Sequence, residues 1–558
     1  MSRGGFDIPQ GRETSHRSLD HFQVDVEKQF SAGLTLPGLA DQMPQVLGWV
    51  EVGSAAHGQP DELLDLVALP GGGLTGITGT GRVYWRVDTS FAASDYRASD
   101  LLSFVTGETQ GVSSAPYDQN GRTQAFAIAS MTQPDRVMWW NGSSYIDLAS
   151  DDETGDAVVD NPVLAGDPAD ESFGLVFVDY DLDGDVDLYR LTGSAQSDRV
   201  DNELLTNVGT EAGVWKFESV GGGDAAAAGG GTLARGVAVA DFDADGRDDI
   251  FVASQSAALF LNRTTVRDQP GFVRHRGPSG EPFDFNVVDH LGESHGFQAP
   301  AVFDFDNDGD LDLFISAYGD GACRLFRNEI STGNDFALTD VTSRAVALSG
   351  DGFRNKTAGY PGDFDNDGDL DLYVTADAYG DSVGVNVLLR NGLLDIEGQI
   401  AVEPFFEEIT PDALRLVGNH SYGATWIDYD ADGDLDLIVA NALGTDADGG
   451  MALFRNDYYE LGGLSRYYRI RVLVDGCRNP IGTRVVVVVG SHQQVQQIAS
   501  VSGWGSAPSP DLHFGVGGHE IVDEVRIYAP GDVTPTLVLT DRMTFARAGS
   551  LEMFDVSR

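Results

Sequence analysis

A pattern of aspartates recurs along this chain at nearly constant spacing and constrains the fold more than any other feature. Five segments read D-x-D-x-D-G-x-x-D, and they begin at Asp179, Asp241, Asp304, Asp363 and Asp428. These starts are 62, 63, 59 and 65 residues apart. Two degenerate copies lie upstream, so that the ninth positions of all seven fall at 65, 124, 187, 249, 312, 371 and 436. Seven copies at this spacing predict a fold of seven repeated units.

Each copy is framed by short apolar or alternating segments that are typical of β-strands. One strand precedes the aspartate loop (GVAVAD, APAVFD) and another follows it (DIFVAS, DLFISA). A third ends in an asparagine, as in LFLN and LFRN, and a fourth follows in some copies. Four short strands in about 60 residues are typical of a propeller blade, so we expect an all-β fold with a seven-bladed β-propeller.

The ends of the repeat region suggest how the ring closes and where the domains divide. A propeller usually closes when one terminus supplies a strand to the blade that the other began. The segment FQVDVEKQF, from Phe22, resembles fourth strands and is predicted to complete the blade that starts at Asp428. We therefore expect a flexible tail over 1–17, the propeller over 18–460 and a small β-sandwich-like domain over 464–558, whose alternating segments are separated by Gly, Asn and Pro.

The aspartate loops have the composition of calcium sites. Carboxylates at positions 1, 3 and 5 surround one point, position 7 adds a backbone carbonyl, position 9 completes the shell, and glycine at position 6 allows the sharp turn. Oxygen ligands without His or Cys favour calcium over manganese or magnesium. We predict about five calcium ions. The predicted ligand residues are Asp179, Asp181, Asp183, Asp185 and Asp187; Asp241, Asp243, Asp245, Arg247 and Asp249; Asp304, Asp306, Asp308, Asp310 and Asp312; Asp363, Asp365, Asp367, Asp369 and Asp371; and Asp428, Asp430, Asp432, Asp434 and Asp436.

Other interpretations of the loops are less consistent with the sequence. Solvated Asp-Gly hairpins would not need five copies with the same acid spacing. EF-hand loops need a flanking helix or a glutamate at position twelve, whereas strands flank these loops. The two upstream copies have too few carboxylates, and we expect both to be metal-free turns.

The charge of the chain limits the classes of partner. It has 87 acidic and 35 basic residues, which gives a formal net charge of −52. Such a chain is not expected to bind nucleic acid or an anionic membrane surface. The sequence contains no apolar run long enough to span a bilayer. Cys323 and Cys477 lie in different predicted domains, so neither a disulfide nor a thiolate metal site is expected.

These motifs resemble known families over most of the chain. Residues 40–457 resemble the calcium-loop repeats of integrin α-chains and of bacterial FG-GAP/VCBS proteins. The tail resembles the ASPIC/UnbV domain of the cartilage acidic protein family through NPIGTRV from Asn479, SGWGSAPSPDLHFGVG from Ser502 and VDEVRIYAPG from Val522. The matching tail residues include His513, Phe514 and Gly517. Tyr528 and Ala529 stand where the family usually has tryptophan before its proline-glycine turn.

Two functions fit the sequence. The resemblance to adhesion and matrix proteins implies a monomeric binding module that recognises a protein, glycan or small molecule on the propeller face, secreted or at the cell surface. The alternative is an intracellular enzyme or accessory protein of specialised metabolism, because UnbV proteins are encoded with enediyne polyketide machinery and other calcium propellers catalyse cyclisation or alkylation. An N-terminus without an apolar export segment favours the cytoplasm. Whether the chain is an enzyme stays open.

The enzyme hypothesis has its own candidate residues at one mouth of the channel. These are Arg235, His295, Lys356, His420 and Tyr422, which stand six to nine residues before the first aspartate of their loops. If the starts of the inner strands converge, these side chains would supply cations and an acid-base pair around a small molecule. Ordinary loop polarity explains the same residues without catalysis.

Overall fold

The computed structural model describes the backbone of five short stretches, 34–35, 63–69, 73–78, 83–86 and 96–98, and most of residues 109–557. Its larger gaps are 150–160, 194–201, 221–233, 286–296, 394–405, 443–449 and 459–465, and residues 429–432 also lie outside it. The described residues form β-strands and short 3-10 turns, such as Pro162–Ala165 and Thr342–Arg344. No helix among them is long and apolar enough to cross a membrane.

Twenty-eight strands form seven four-stranded antiparallel sheets, which confirms the predicted seven-bladed propeller. The first strand of the chain, β1 (Leu34–Thr35), comes before blade 1 in the sequence and belongs to blade 7. Blade 1 contains β2 (Leu63–Leu69), β3 (Gly73–Thr78), β4 (Val83–Arg86) and β5 (Tyr96–Ala98). Blade 2 contains β6 (Thr109–Tyr117), β7 (Thr123–Ser130), β8 (Arg136–Trp140) and β9 (Tyr145–Asp147). Blade 3 contains β10 (Ser172–Val178), β11 (Asp187–Thr192), β12 (Glu203–Glu211) and β13 (Val214–Ser219).

The remaining blades repeat this order, and the first strand of each is the innermost. Blade 4 contains β14 (Gly236–Ala240), β15 (Asp249–Ala253), β16 (Ala258–Asn262) and β17 (Phe272–Arg274). Blade 5 contains β18 (Phe297–Phe303), β19 (Asp312–Ala317), β20 (Arg324–Asn328) and β21 (Leu338–Asp340). Blade 6 contains β22 (Lys356–Gly362), β23 (Asp371–Ala376), β24 (Val387–Asn391) and β25 (Phe406–Glu408). Blade 7 contains β26 (His420–Ile427), β27 (Asp436–Ala442), β28 (Gly450–Phe454) and β1.

The N-terminal part of the ring differs in detail from the sequence expectation. The N-terminus does complete the last blade, but the strand that pairs with β28 is Leu34–Thr35, with Leu34 opposite Leu453. The segment from Phe22 and the tail over 1–17 lie outside the described residues. Asp65 was expected to begin the second strand of blade 1, yet it lies inside the innermost strand β2. The ninth position of the first degenerate repeat therefore lies in the first strand of its blade, and its predicted place at the start of the second strand is wrong.

Neighbouring blades pack through apolar residues of adjacent sheets. Val176 and Tyr189 of blade 3 share a buried cluster with Val237, Ile250 and Phe260 of blade 4. Similar clusters join blades 2 and 3, 4 and 5, 5 and 6, and 6 and 7. Each strand of a blade alternates its side chains between the two neighbouring blades, which explains the apolar runs around the aspartate loops.

The C-terminal domain is a small sandwich with its own core. A three-stranded sheet contains β29 (Tyr467–Val474), β32 (Asp511–Gly515) and β37 (Leu551–Val556). A four-stranded sheet contains β30 (Arg484–Val489), β31 (His492–Gln497), β34 (Glu524–Tyr528) and β35 (Leu537–Leu539), and β33 (Ile521–Val522) pairs with β36 (Met543–Thr544). Ile470 and Phe514 of the first sheet pack against Val485, Val487 and Ile527 of the second.

Candidate metal centres

The five aspartate loops lie between the first and second strands of blades 3 to 7, on one face of the propeller, here called the loop face. In each, the residue before position 1 pairs with the aspartate at position 9, as Ala240 pairs with Asp249. Glycine at position 6 has a positive φ in every loop, for example 100° at Gly309. Position 4 is also left-handed in four loops, as at Asn307 (φ 53°). These two turns fold the loop back on itself. At position 6 the positive φ has no steric cost, because the residue is glycine.

Hydrogen bonds fix the first and last aspartates of the loops in blades 3 to 6. Asp304 accepts the backbone N–H groups of Asp308 and Gly309, both at 3.2 Å. Asp312, at position 9, accepts the N–H of Phe305 at 3.0 Å on one oxygen and that of Asn328 at 2.7 Å on the other. The loops at Asp241 and Asp363 repeat the whole pattern, and the loop at Asp179 repeats most of it. The position 9 aspartate therefore joins its loop to the third strand as well as facing the loop centre.

Four of the five loops bring three carboxylates together. In each, oxygens of three aspartates lie within 4.8 Å of one another. The groups are Asp179, Asp181 and Asp187; Asp241, Asp243 and Asp249; Asp304, Asp306 and Asp308; and Asp363, Asp365 and Asp371. A further group joins Asp181 and Asp183 to Asp268 of the next blade. Asp430 and Asp432 of the fifth loop lie outside the described residues, whereas Asp428, Asp434 and Asp436 are buried.

The other predicted ligands hold less central places. At position 5, Asp245 and Asp367 each accept the N–H of position 7, from Arg247 at 3.0 Å and Asp369 at 3.1 Å. At position 7, the side chain of Asp185 is exposed, whereas Asp310 and Asp369 are buried. The backbone carbonyl of position 7 stays a predicted ligand.

Burial of several carboxylates at one point disfavours their ionised form. Burial, with the nearby charges of Asp308 and Asp310, raises the pKa of Asp306 to about 7. Burial raises the pKa of Asp241 and of Asp365 to about 6. Burial and the other loop aspartates raise the pKa of Asp312, at position 9, and of Asp304, at position 1, well above the usual range of an aspartate. A cation at the loop centre would reverse this effect and keep the carboxylates ionised.

The fit to a hard cation rests on unsatisfied oxygens. The Oδ1 atoms of Asp243, Asp306 and Asp365 are buried and have no hydrogen-bond partner. All three stand at position 3, where the second ligand of a calcium loop is expected. Buried polar atoms normally have a partner, so the same orphan in three loops points to a missing ligand. The donor set consists of carboxylate oxygens, which suits calcium.

Two arginines pair with the loop at Asp241, whereas the loop at Asp179 has one such pair, between Arg267 and Asp183. The Arg263 guanidinium forms an ion pair with Asp243 and lies 3.0 Å from Asp245 Oδ2. Arg247, at position 7, lies 3.4 Å from the same oxygen of Asp245. A calcium ion here would compete with these positive charges, so this loop is the weakest candidate of the four described clusters.

The C-terminal domain covers part of the loop face, which the sequence did not indicate. Gln497 donates to Asp248 Oδ1 at 2.7 Å and accepts the N–H of Asp241 at 3.1 Å. The ring of His513 lies 2.6 Å from Asn366 Oδ1, at position 4 of the loop in blade 6. These contacts join polar residues that are far apart in the sequence, so no local sequence pattern predicts them.

Further contacts extend this interface to two more loops. Gly531 N–H donates to the carbonyl of Gly246 at 2.7 Å, and Arg469 lies 3.6 Å from Asp428 Oδ2. Gln493 donates to the Asp308 carbonyl at 2.9 Å. The domain also sends residues 499–509, here called the channel segment, into the central channel.

The channel segment crosses the propeller axis and contacts several inner strands. Ser500 donates to the Phe177 carbonyl at 2.6 Å in blade 3, and the Gly505 carbonyl accepts the Val112 N–H at 2.8 Å in blade 2. Trp504 is 6% exposed and belongs to the buried cluster of blades 6 and 7. The glycines and serines of this stretch are the one sequence signal of the insertion, because small residues allow close approach of two backbones.

The structure describes the side chains of three of the five candidate catalytic residues, Arg235, Lys356 and Tyr422. The Arg235 guanidinium lies over the Phe173 ring, 5.1 Å from its centre. Lys356 is fully buried and donates to the Val385 carbonyl, and burial lowers the pKa of its ammonium group to about 8.

The other three candidates are Tyr422, His420 and His295. The Tyr422 hydroxyl donates to Asp377 Oδ2 at 3.0 Å, and the Tyr422 ring lies 5.6 Å from that of Trp504. His420 begins strand β26, and only its backbone is described. His295 lies outside the described residues. Arg235, Lys356 and Tyr422 contact different partners, and the enzyme hypothesis stays a prediction.

Family models match both parts of the chain, which confirms the resemblances drawn from the sequence. An FG-GAP-like repeat model matches residues 304–374, which include the loops of blades 5 and 6. An ASPIC and UnbV model matches residues 475–540, within the C-terminal domain.

Similar proteins include vertebrate cartilage acidic proteins. Cartilage acidic protein 1 of Homo sapiens is 27% identical over 321 residues, which are 57% of this chain and 42% of that protein. The Mus musculus protein is 25% identical over 344 residues, 61% of this chain and 46% of that protein. The match therefore spans less than half the length of these relatives. Among solved structures, the β-propeller domain of Myceliophteria thermophila Cps50 (Swd1) aligns with a TM-score of 0.35 and 10% identity, over 71% of this chain and 97% of that one.

Proposed function

We propose that this chain, which combines FG-GAP-like repeats with an ASPIC and UnbV-type domain, is a calcium-binding interaction module. The observation that supports it most is the set of three-carboxylate clusters in four loops, three of which contain an unsatisfied buried oxygen at position 3. Calcium would join the ends of each loop and hold the loop face in one shape. Each ion present at about a thousand times its dissociation constant would add roughly 4 kcal/mol to the free energy of unfolding.

We place the recognition surface on the parts of the propeller that the C-terminal domain does not cover. That domain contacts four loops of the loop face and fills part of the channel. A protein or glycan partner would therefore bind mainly on the opposite face, where the inner strands begin, or on the outer surface of the C-terminal domain. Loops carried on a rigid ring are a usual place for such recognition. The similarity to FG-GAP-like repeats and to cartilage acidic protein 1 supports an interaction role.

Calcium binding is tested by counting ions in matched variants. Purified wild-type protein should bind about five ions, and calcium should raise its melting temperature well above that of the chelated protein. Asp365→Asn removes an orphaned ligand oxygen and should lower the count by about one. Asp475→Asn, which changes an exposed aspartate of the C-terminal domain, is the control and should leave the count unchanged. Wild-type protein without bound calcium or a thermal shift would disprove the proposal.

The interaction role needs a separate experiment. The immobilised chain would be screened against secreted proteins and glycans, once in calcium and once in chelator. Ligands that bind only in calcium and that soluble chain displaces would support the proposal. If every ligand found binds equally in chelator, the calcium loops do not control recognition.

A further inference from the structure

A cavity lies inside the channel between the propeller and the C-terminal domain. Its volume is about 190 Å³, and inner strands of blades 4 to 7 line one side while the channel segment and β32 line the other. The wall is largely apolar and includes Val237, Val302, Ala424, Trp426 and Val501. Cavities of about 150 Å³ with apolar walls admit a molecule the size of benzene. The space is therefore large enough for one small ring.

One end of the cavity carries a histidine with an unused nitrogen. His513 lines the cavity and is 7% exposed. Its Nε2 lies 2.6 Å from Asn366 Oδ1, and its ring stacks on Tyr467 with centres 5.0 Å apart. Its Nδ1 is buried and has no hydrogen-bond partner. With Nε2 and one face of the ring already in contact, Nδ1 is the polar atom of the ring that the protein leaves without a partner.

The protonation of this ring follows from its neighbour. Asn366 Nδ2 donates to the Gly433 carbonyl at 3.1 Å and to Asp434 Oδ1 at 3.2 Å, which fixes its amide with Oδ1 toward the histidine. An amide oxygen only accepts, so His513 Nε2 must carry the proton. Burial keeps the ring neutral, because it lowers the pKa of His513 to about 3. Nδ1 is therefore a hydrogen-bond acceptor without a donor.

Two charged residues that line this end, Asp511 and Arg469, already pair with each other. Asp511 accepts Arg471 at 2.6 and 2.8 Å, and Arg469 lies 3.2 Å from the same carboxylate. This pairing leaves no strong requirement for a charged ligand, whereas the apolar wall favours a neutral one. We propose that the cavity binds a small, uncharged, largely apolar molecule with one hydrogen-bond donor, which donates to His513 Nδ1.

The test compares two probes of similar size in the full chain with excess calcium. Phenol has the donor and fluorobenzene lacks it, and binding of each is measured by titration calorimetry. Wild-type protein should bind phenol at least about tenfold more tightly than fluorobenzene, because only phenol satisfies Nδ1. Contacts between phenol protons and the methyl groups of Val501 and Val302, observed by NMR, should place the ring in the cavity.

Variants test the contribution of the apolar cavity separately from that of the hydrogen-bond acceptor on His513. Ala499→Phe, at a partly exposed lining residue, should abolish binding of both probes. Val533→Phe adds the same bulk at a residue that is 61% exposed and should leave binding unchanged. His513→Phe should abolish the preference for phenol, and its melting temperature in calcium shows whether the fold is intact.

Several results would overturn the proposal. Wild-type protein that binds neither probe has no such site, and equal affinity for the two probes would mean that Nδ1 makes no use of a donor. Phenol binding that survives Ala499→Phe would place the ligand elsewhere. A crystal structure in which phenol leaves a water on Nδ1 undisturbed would also contradict it. Calcium counts in the same preparations distinguish these failures from a failure of the loop sites.

Discussion

Asn328 shows how one side chain can join two blades. Its Nδ2 donates to the Phe242 carbonyl in blade 4 at 2.7 Å and to the Leu311 carbonyl in its own blade at 3.1 Å. Asn262, Asn391 and Asn456 make equivalent bonds to the preceding blade. In blades 4 to 7 this asparagine therefore connects neighbouring aspartate loops, which the sequence pattern alone did not explain.

This role predicts a large loss of stability at a single residue. Asn328→Ala leaves two buried carbonyls without a donor and should lower the free energy of unfolding by about 2–4 kcal/mol. Urea denaturation in excess calcium measures the loss. Asn328→Asp keeps the shape but replaces the donor with a carboxylate facing two carbonyls, so its loss should be at least as large. A loss below about 1 kcal/mol in both variants would contradict the proposed bridge.

The raised pKa values of the loop aspartates predict opposite pH effects with and without calcium. Burial raises the pKa of Asp306 to about 7 and of Asp365 to about 6, so the calcium-free fold takes up protons that the unfolded chain releases above about pH 4. Its free energy of unfolding should fall as pH rises from 4 to 7. With calcium the carboxylates stay ionised, so stability should rise over the same range. Melting curves in chelator and in calcium would show this, and parallel slopes would exclude it.

At the scale of single elements, the sequence predicted the parts that repeat. Blades 3 to 7 were predictable because each aspartate loop fixes the point where a first strand ends and a second begins, as at Val178 and Asp187. Blade 1 has no such loop, so its alternation alone could not set the strand order, and Asp65 was placed one strand too late. The sequence predicted that the N-terminus closes the ring, because a free strand edge must be covered. This argument does not determine which short segment pairs with β28.

The loop of blade 4 should have the lowest calcium affinity, because Arg263 neutralises its carboxylates. Arg263→Gln removes that competing charge and should raise the affinity of the weakest class of sites by roughly tenfold, about 1.4 kcal/mol. Calcium titration calorimetry of the two proteins measures this difference. Arg276→Gln, at an arginine that contacts the Gly280 carbonyl instead, is the control. An unchanged weak site in Arg263→Gln would show that the arginine leaves the carboxylates when calcium binds.

At the scale of the whole molecule, the sequence separated two domains but could not show that one covers the other. The interface is made by polar groups such as Gln497 and by glycines such as Gly531, and such residues are typical of any exposed loop. Apolar side chains of the C-terminal domain also complete clusters of the propeller: Ile481 joins that of blades 2 and 3, and Val495 that of blades 4 and 5. The two domains therefore share parts of one core, which periodicity within either domain cannot reveal.

This arrangement predicts that calcium and the docked domain stabilise each other. Gln497, His513 and Arg469 each contact an aspartate loop, so loops held in shape by calcium should bind the domain more tightly than loops without it. Chelation should then speed amide hydrogen exchange in the channel segment by at least about tenfold at temperatures where the propeller stays folded. Strand β34, in the core of the C-terminal domain, is the internal control and should exchange at the same rate in both conditions. Equal protection of the channel segment with and without calcium would mean that the domain docks independently of the ions. Exchange that rises equally in β34 would mean that chelation unfolds the domain itself, and only the selective result supports coupling through the loop face.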